Sequence, residues 1–207
     1  VAAFSIGCYL FPILFSVNNA VAQSAQPIIS YNFGARNFER VKAVLRTSLA
    51  AAGICGIIIT LVMWLGAPLL VSVFISPDAA AFGIALKGLP LLGLCAIFFA
   101  LNITFIGYYQ SCEKATQAIL YMLLRGVFFI VPIFIILPHI IGIDGLWLSL
   151  PVSESLTLLV IITANATSCA SFLRSINGTL VMVMVSVFLI CLLGFFLGYW
   201  AAKLMGL

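Results

Sequence analysis

The chain has 207 residues, of which 65% are hydrophobic and 7% charged, with a net charge of +4 and a mean hydropathy of +1.31. A soluble domain carries about 25% charged residues, so this composition excludes a water-soluble globule. It points to an all-α, polytopic membrane bundle of about six transmembrane helices. The small positive charge is spread over loops, where it orients a membrane protein; it gives no reason to invoke nucleic acid. The sequence opens on Val1 rather than Met, so a fragment of a longer protein is expected.

Span one is expected from Ala3 to Ser30. Ser16, Asn19, Gln23, Gln26 and Ser30 recur at steps of three or four and so share one helical face, and Pro12 continues the line. A polar stripe turned to lipid is costly, so it should face other helices or a water-filled cavity. Pro27 can kink this helix without ending it. Gly34 suits a helix end and Asn37 the N-cap of the next helix. Arg36, Arg40, Lys42 and Arg46 are four of the nine basic residues, with Glu39 the one acid among them. Basic residues in short loops collect on the cytoplasmic side, so this loop sets the orientation.

Span two is expected from Val44 to Ile75, with Gly53 and Gly56 available for close helix contact. Ser76, Pro77 and Asp78 form an outer turn. Span three runs from Ala79 to Cys112, bent at Gly88 and Pro90, and carries Asn102 and Thr104. Span four, Thr116 to Pro138, contains Arg125 and a kink at Pro132. Arg125 lies about two turns into that helix, from where it can snorkel to the cytoplasmic side. His139 to Gly145 is expected as a short outer loop.

Span five, Leu146 to Asn165, contains Glu154 about 14 Å deep at 1.5 Å per residue. An ionisable group near mid-bilayer is a functional-site candidate. Coupling to a proton or cation and structural pairing, with Arg125 as the partner, both fit. A polar stretch with Arg174, Ala166 to Gly178, is expected on the cytoplasmic side. Span six, Thr179 to Ala202, has no polar stripe and reads as lipid-facing. Four of the six cysteines, Cys8, Cys55, Cys95 and Cys191, lie in apolar spans without a CxxC spacing, as small packing residues do. No nucleotide-binding, zinc-protease or hydrolase motif occurs, and paired carboxylates are missing. The expectation is therefore no enzyme, no catalytic residue and no bound metal or cofactor.

Three segments resemble the MATE (multidrug and toxic compound extrusion) transporters. AQPIISYNFGARNFERVK is similar to the family's helix end and basic loop between the second and third helices of a lobe. GYYQSCEKATQAILYMLLRG is similar to a later helix end, loop and arginine-bearing helix. GIDGLWLSLPVSESLTLLV carries the pattern Gly145, Trp147, Pro151, Glu154 of the last family helix. Cys112 and Glu113 stand where many relatives have a glycine or small residue before Lys114.

The resemblance covers residues 1–165 and implies one half of a two-lobed fold, the second lobe without its first helix. Residues 166–207 match no family segment and form a separate linker and span. The resemblance implies a multi-pass cell-membrane protein, of the bacterial inner or plasma membrane. It implies part of a secondary antiporter that exports small organic compounds, often cationic or aromatic, driven by H⁺ or Na⁺. Its partners would be the lipid bilayer and the missing N-terminal lobe, without which the fragment is not expected to transport. Asn19, Gln23, Gln26, Asn102 and Glu154 are the expected cavity residues, with Glu154 as the charge-coupling group. A lipid-linked saccharide flippase is the alternative within transport, with a more cationic cavity expected. A non-transporting membrane scaffold is the other, and would need no polar stripe.

Overall fold

The computed structural model describes residues 2–166. The expected sixth span and the Arg174 stretch lie outside the described residues. Helix α1 (Ala2–Gly34) is followed by α2 (Phe38–Leu65), α3 (Ala67–Phe74), α4 (Ala80–Gly93) and α5 (Cys95–Ser111). Then come α6 (Ala115–Leu123), a π-helical turn (Leu124–Phe129), α7 (Ile130–Ile141) and α8 (Ile143–Ala166). By length and apolar composition the described residues make 5 candidate membrane spans: Ala3–Gly34, Phe38–Leu65, Ala80–Ser111, Ala115–Ile141 and Ile143–Asn165. Two of them are each assembled from consecutive helical pieces.

Successive spans alternate in direction, so the loops at Arg36 and Lys114 fall on one side and those at Asp78 and Gly142 on the other. Both turns of the basic side are built alike. Asn37 N donates to Asn32 O at 2.9 Å and Arg36 N to Phe33 O at 3.0 Å. Lys114 N donates to Tyr109 O at 2.9 Å and Glu113 N to Gln110 O at 3.2 Å. This paired bonding is the Schellman helix end, which requires a left-handed residue and favours glycine. Here those residues are Arg36 (φ 57°) and Glu113 (φ 59°). The glycine-free departure at position 113 is thus tolerated with some backbone strain. Glu113→Gly is expected to stabilise the bundle by up to about 1 kcal/mol, the cost of a Cβ in that region, read as a raised melting temperature in detergent. Asn37 caps α2 as expected: its Oδ1 accepts from Arg40 N at 3.2 Å.

Several boundaries differ from those expected. Span two begins at Phe38 and is interrupted at Gly66, where Ala67 and Pro68 start a new short helix, α3. Proline is favoured in a first turn because its missing N–H has no intrahelical partner there. Span three, expected to bend at Gly88 and Pro90, is interrupted at Leu94, one turn beyond Pro90. The break is braced from α2. Thr60 Oγ1 lies 2.8 Å from Gly93 O, and Trp64 Nε1 donates to Pro90 O at 2.9 Å. In a membrane such carbonyls must find protein donors. The irregularity expected at Pro132 takes the form of the π turn just before it, where the proline cannot return an N–H to the preceding turn. Span four runs on through Pro138 and His139 to Ile141. The turn expected on the outer side is therefore the single residue Gly142, whose φ of 67° suits glycine.

Helix α5 packs against both α1 and α2, which also pack against each other. Its buried residues, among them Ala96, Phe99, Asn102, Ile103 and Ile106, surround its axis. Lipid is as apolar as leucine, so close packing rather than hydrophobic burial holds membrane helices together. Gly56 shows this directly: a Cβ there would lie 2.7 Å from the Ile97 Cα, so glycine lets the α2 and α5 backbones touch. Gly53 faces open space and has no such role. Toward the end of the bundle away from the basic loop, Trp147 of α8 is 1% exposed and joins Ala3, Ile6, Met63, Leu89 and Leu92 in one core cluster. Cys8, Cys55, Cys95 and Cys112 are free thiols.

Candidate functional site

Three of the five spans bring polar residues together near mid-depth. Glu154 lies about eleven residues from the Gly142 turn and Arg125 about ten from the Lys114 turn at the opposite end, so each is some 15 Å from its own end of the bundle. Asn102 lies nine residues before the inner end of α5, at about the same depth. The Arg125 Nη2 is 2.9 Å from Glu154 Oε1, and Arg125 Nε donates to the same oxygen at 2.9 Å. The other carboxylate oxygen, Oε2, accepts from Asn102 Nδ2 at 2.7 Å, and the same amide reaches Glu154 O at 2.9 Å. The side chains of Arg125 and Glu154 are 16% and 4% exposed. Arg125 does not snorkel to the cytoplasmic face; its guanidinium turns inward and stacks over Phe99, 4.3 Å from the ring centroid.

Each partner offsets a specific cost. A carboxylate in a low-dielectric interior is tolerated when paired and fully hydrogen-bonded. The arginine fork supplies two donors and Asn102 a third. Phe99 adds a cation–π contact on the open face of the guanidinium. Phe99 is held by Phe11 of α1, edge to face at 5.6 Å. The π turn encloses Arg125, and Ser153 Oγ lies 3.5 Å from the Arg125 carbonyl. Thr157, one turn beyond Glu154, is buried and donates to Ser153 O at 2.9 Å.

The remaining expected cavity residues lie on α1. Asn19 and Gln26 are half-buried and Gln23 is exposed, like Ser16 and Ser30 along the same stripe. Gln26 Nε2 is 3.3 Å from Gln110 Oε1, and its side chain also lies against Gly107. Asn102 and Glu154 are brought together; Asn19, Gln23 and Gln26 are not in contact with them. Arg36, Arg40, Lys42 and Arg46 are all exposed, and Lys42 pairs with Glu39 at 3.2 Å.

One residue escaped the stripe argument. Asn18 is 0% exposed, and among the described residues neither polar atom of its amide has a hydrogen-bond partner; the same holds for Asn102 Oδ1. Asn18 belongs to the packed face of α1 with Ala22, Ala25 and Ile29. The Gln26–Gln110 contact joins residues 84 apart in sequence on helices that run in parallel, and the same separation carries Asn18 to the level of Asn102. Reading the seven-residue step from Phe11 through Asn18 to Ala25 as the buried face would have found it.

A membrane-spanning helical bundle with a buried, hydrogen-bonded ion pair at mid-depth is thus the class that fold and site define. The MatE family model matches residues 1–137, and the chain belongs to that family. No curated protein matches it. Among solved structures, an outward-facing multidrug resistance MATE family transporter of the MOP superfamily superposes with a TM-score of 0.74 at 15% identity. That match covers 84% of this chain and 39% of the other. A MATE protein in complex with MaL6 gives 0.73 at 15% identity, with coverage of 84% and 39%. A MOP superfamily transporter from Pyrococcus furiosus, described as having a binding pocket of reverse polarity, gives 0.71 at 15%, with coverage of 77% and 36%. At this identity the likeness establishes the fold. The chain spans about two fifths of the length of these relatives.

Proposed function

We propose that the chain is part of a secondary active antiporter. It would export small organic, often cationic or aromatic, compounds in exchange for H⁺ or Na⁺, with Glu154 as the charge-coupling group. The observation that carries this reading is the ion pair of Arg125 and Glu154 with Asn102, held at mid-depth in a family of membrane bundles. Charged groups at that depth are costly and mark ion pathways. The carboxylate of Glu154 and the amide oxygens Oδ1 of Asn102 and Asn18 offer hard oxygen donors to a proton carrier or a sodium ion. Arriving positive charge would compete with Arg125 for the carboxylate, and loosening the α5–α8 contact is a route to the rocking of lobes that alternating access requires. The exposed stripe of Ser16, Gln23 and Ser30 would face the cavity shared with a preceding lobe, and Asn19 and Gln26 would line its edge. That stripe holds no cation, which favours an organic-cation cavity over one for a lipid-linked saccharide.

Uptake and release of a fluorescent organic cation, measured in cells making the two-lobed protein under imposed H⁺ and Na⁺ gradients, tests the reading. Export that follows neither gradient would refute it. Cysteine labelling tests the cavity separately. In a background without native cysteines, replacements at Asn19, Gln23 and Gln26 are expected to react with small water-soluble thiol reagents faster than one at Ala22. Replacements between Gly34 and Arg40 should resist an impermeant reagent added outside intact cells. Equal reactivity around α1, or strong outside labelling of the loop, would overturn the assignment.

A further inference from the structure

A groove of about 360 Å³ opens between α1 and α2 near the basic end of the bundle. Ser24 and Ile28 of α1 form one wall, and Val44, Thr47 and Ala51 of α2 the other, with Arg40 as the one charged residue of the lining. We propose that this groove binds an anionic phospholipid of the inner leaflet, its phosphate on Arg40 and an acyl chain along the two helices. The inference is independent of what the protein transports.

The chemistry of the walls comes first. Ser24 Oγ donates to Val21 O, Thr47 Oγ1 to Ala43 O and Ser48 Oγ to Val44 O. The hydroxyl protons are spent inside their own helices, so below Arg40 the groove has no free donor and suits an alkyl chain. The head of the groove is the opposite. Arg40 sits in the first turn of α2, at the boundary between the span and the aqueous loop, where the helix dipole is also positive. It is exposed, and among the described residues it has no ion-pair partner, whereas neighbouring Lys42 is engaged by Glu39. A guanidinium at interface depth over an apolar channel complements a phosphate ester carrying an acyl chain. A helix packed into the same groove would leave that cation without a counter-charge.

The test is native mass spectrometry of the whole chain in detergent, titrated with phosphatidylglycerol or phosphatidylcholine of identical acyl chains. Phosphatidylglycerol is expected to be retained more tightly. Arg40→Gln should weaken it about fivefold, the worth of one basic residue at a membrane surface, and weaken phosphatidylcholine less, because its choline already offsets the phosphate charge. Arg40→Lys should keep most of the preference. Ala43→Phe, which fills the groove from an exposed position, should weaken phosphatidylglycerol binding with Arg40 in place. Unchanged melting temperatures would show that each variant keeps its fold. Equal retention of the two lipids, or full phosphatidylglycerol binding in Arg40→Gln or Ala43→Phe, would overturn the proposal. Competition by inorganic phosphate at equal concentration would overturn it too, because the site would then recognise an anion without its chain.

Discussion

On the proposed antiport reading, Glu154→Gln in a two-lobed parent is expected to abolish gradient-driven export while leaving membrane insertion intact. Glutamine keeps the size of glutamate and removes its charge and its ability to exchange a proton or hold a cation. The structural consequences are also definite. Arg125 loses the counter-charge that both Nε and Nη2 reach at 2.9 Å. On the other side, Asn102 Nδ2 now donates to Oε2 at 2.7 Å; a glutamine amide presented there would set donor against donor. Rotating the Asn102 amide would present its unpartnered Oδ1 instead, but would cost the bond from Nδ2 to Glu154 O. Breaking a buried pair by removing one partner costs about 3–5 kcal/mol. Glutamine retains one acceptor for the guanidinium, so a loss toward the lower end of that range is expected. Adding Arg125→Gln removes the stranded cation and should restore part of the stability. The double variant separates the two roles of Glu154. If the carboxylate only holds the helices together, transport should recover along with stability. If it couples charge movement to export, stability should recover and transport should not. The measurement is transport against pH and Na⁺, alongside melting temperature, for both variants. Normal coupling in Glu154→Gln would eliminate the proposed role.

The features legible in the sequence were those carried by composition or by spacing within one helix. The five described spans follow from long apolar runs, and the basic cluster at Arg36 to Arg46 marks one side. The N-cap at Asn37 and the depth of Glu154 also needed only local counting. Arg125 could be offered as the partner of Glu154, but only beside a snorkelling alternative, because the choice depends on how two helices lie against each other. Measured from the turn at Gly142, Arg125 is five residues further along its helix than Glu154 is along the next. With straight antiparallel helices that offset would separate the two by about 7 Å in depth. The long arginine side chain and the π turn around it close the difference, and neither has a signature in spacing. Asn18 stayed hidden for a related reason: next to Asn19, it points to a different face, and only the packing of α1 on α5 tells which face is buried. The break at Gly66 was more accessible, since the following Ala67–Pro68 carries the start signal of a new helix. The break at Leu94 follows Pro90 and Gly93, but its exact place is held by Thr60 and Trp64 of α2 and so belongs to tertiary structure.

The second large effect concerns the half of the bundle away from the basic loop, where Gly88 of α4 lies against the indole of Trp147. A Cβ at Gly88 would fall onto Cε2, Cδ2 and Nε1 of that ring. The ring has little room to withdraw. It is 1% exposed, it meets Phe4 edge to face at 5.2 Å, and Phe4 in turn meets Phe134 at 6.2 Å. Gly88→Ala is therefore expected to destabilise the bundle by about 1–3 kcal/mol, the range for inserting a group into a packed core. The sign is informative, because in a helix interior alanine is otherwise favoured over glycine by about 1 kcal/mol. Gly53 provides the comparison: nothing lies within 4 Å of a Cβ built there, so Gly53→Ala should raise the melting temperature by the amount that propensity alone predicts. Trp147→Phe should lose packing by itself, yet cost less in a Gly88→Ala background than alone, since the smaller ring makes room for the methyl. Thermal melts of the unsubstituted protein, the two single variants and the double variant in one detergent give this coupling directly. Additive effects of Gly88→Ala and Trp147→Phe would mean that the glycine is not there for the indole.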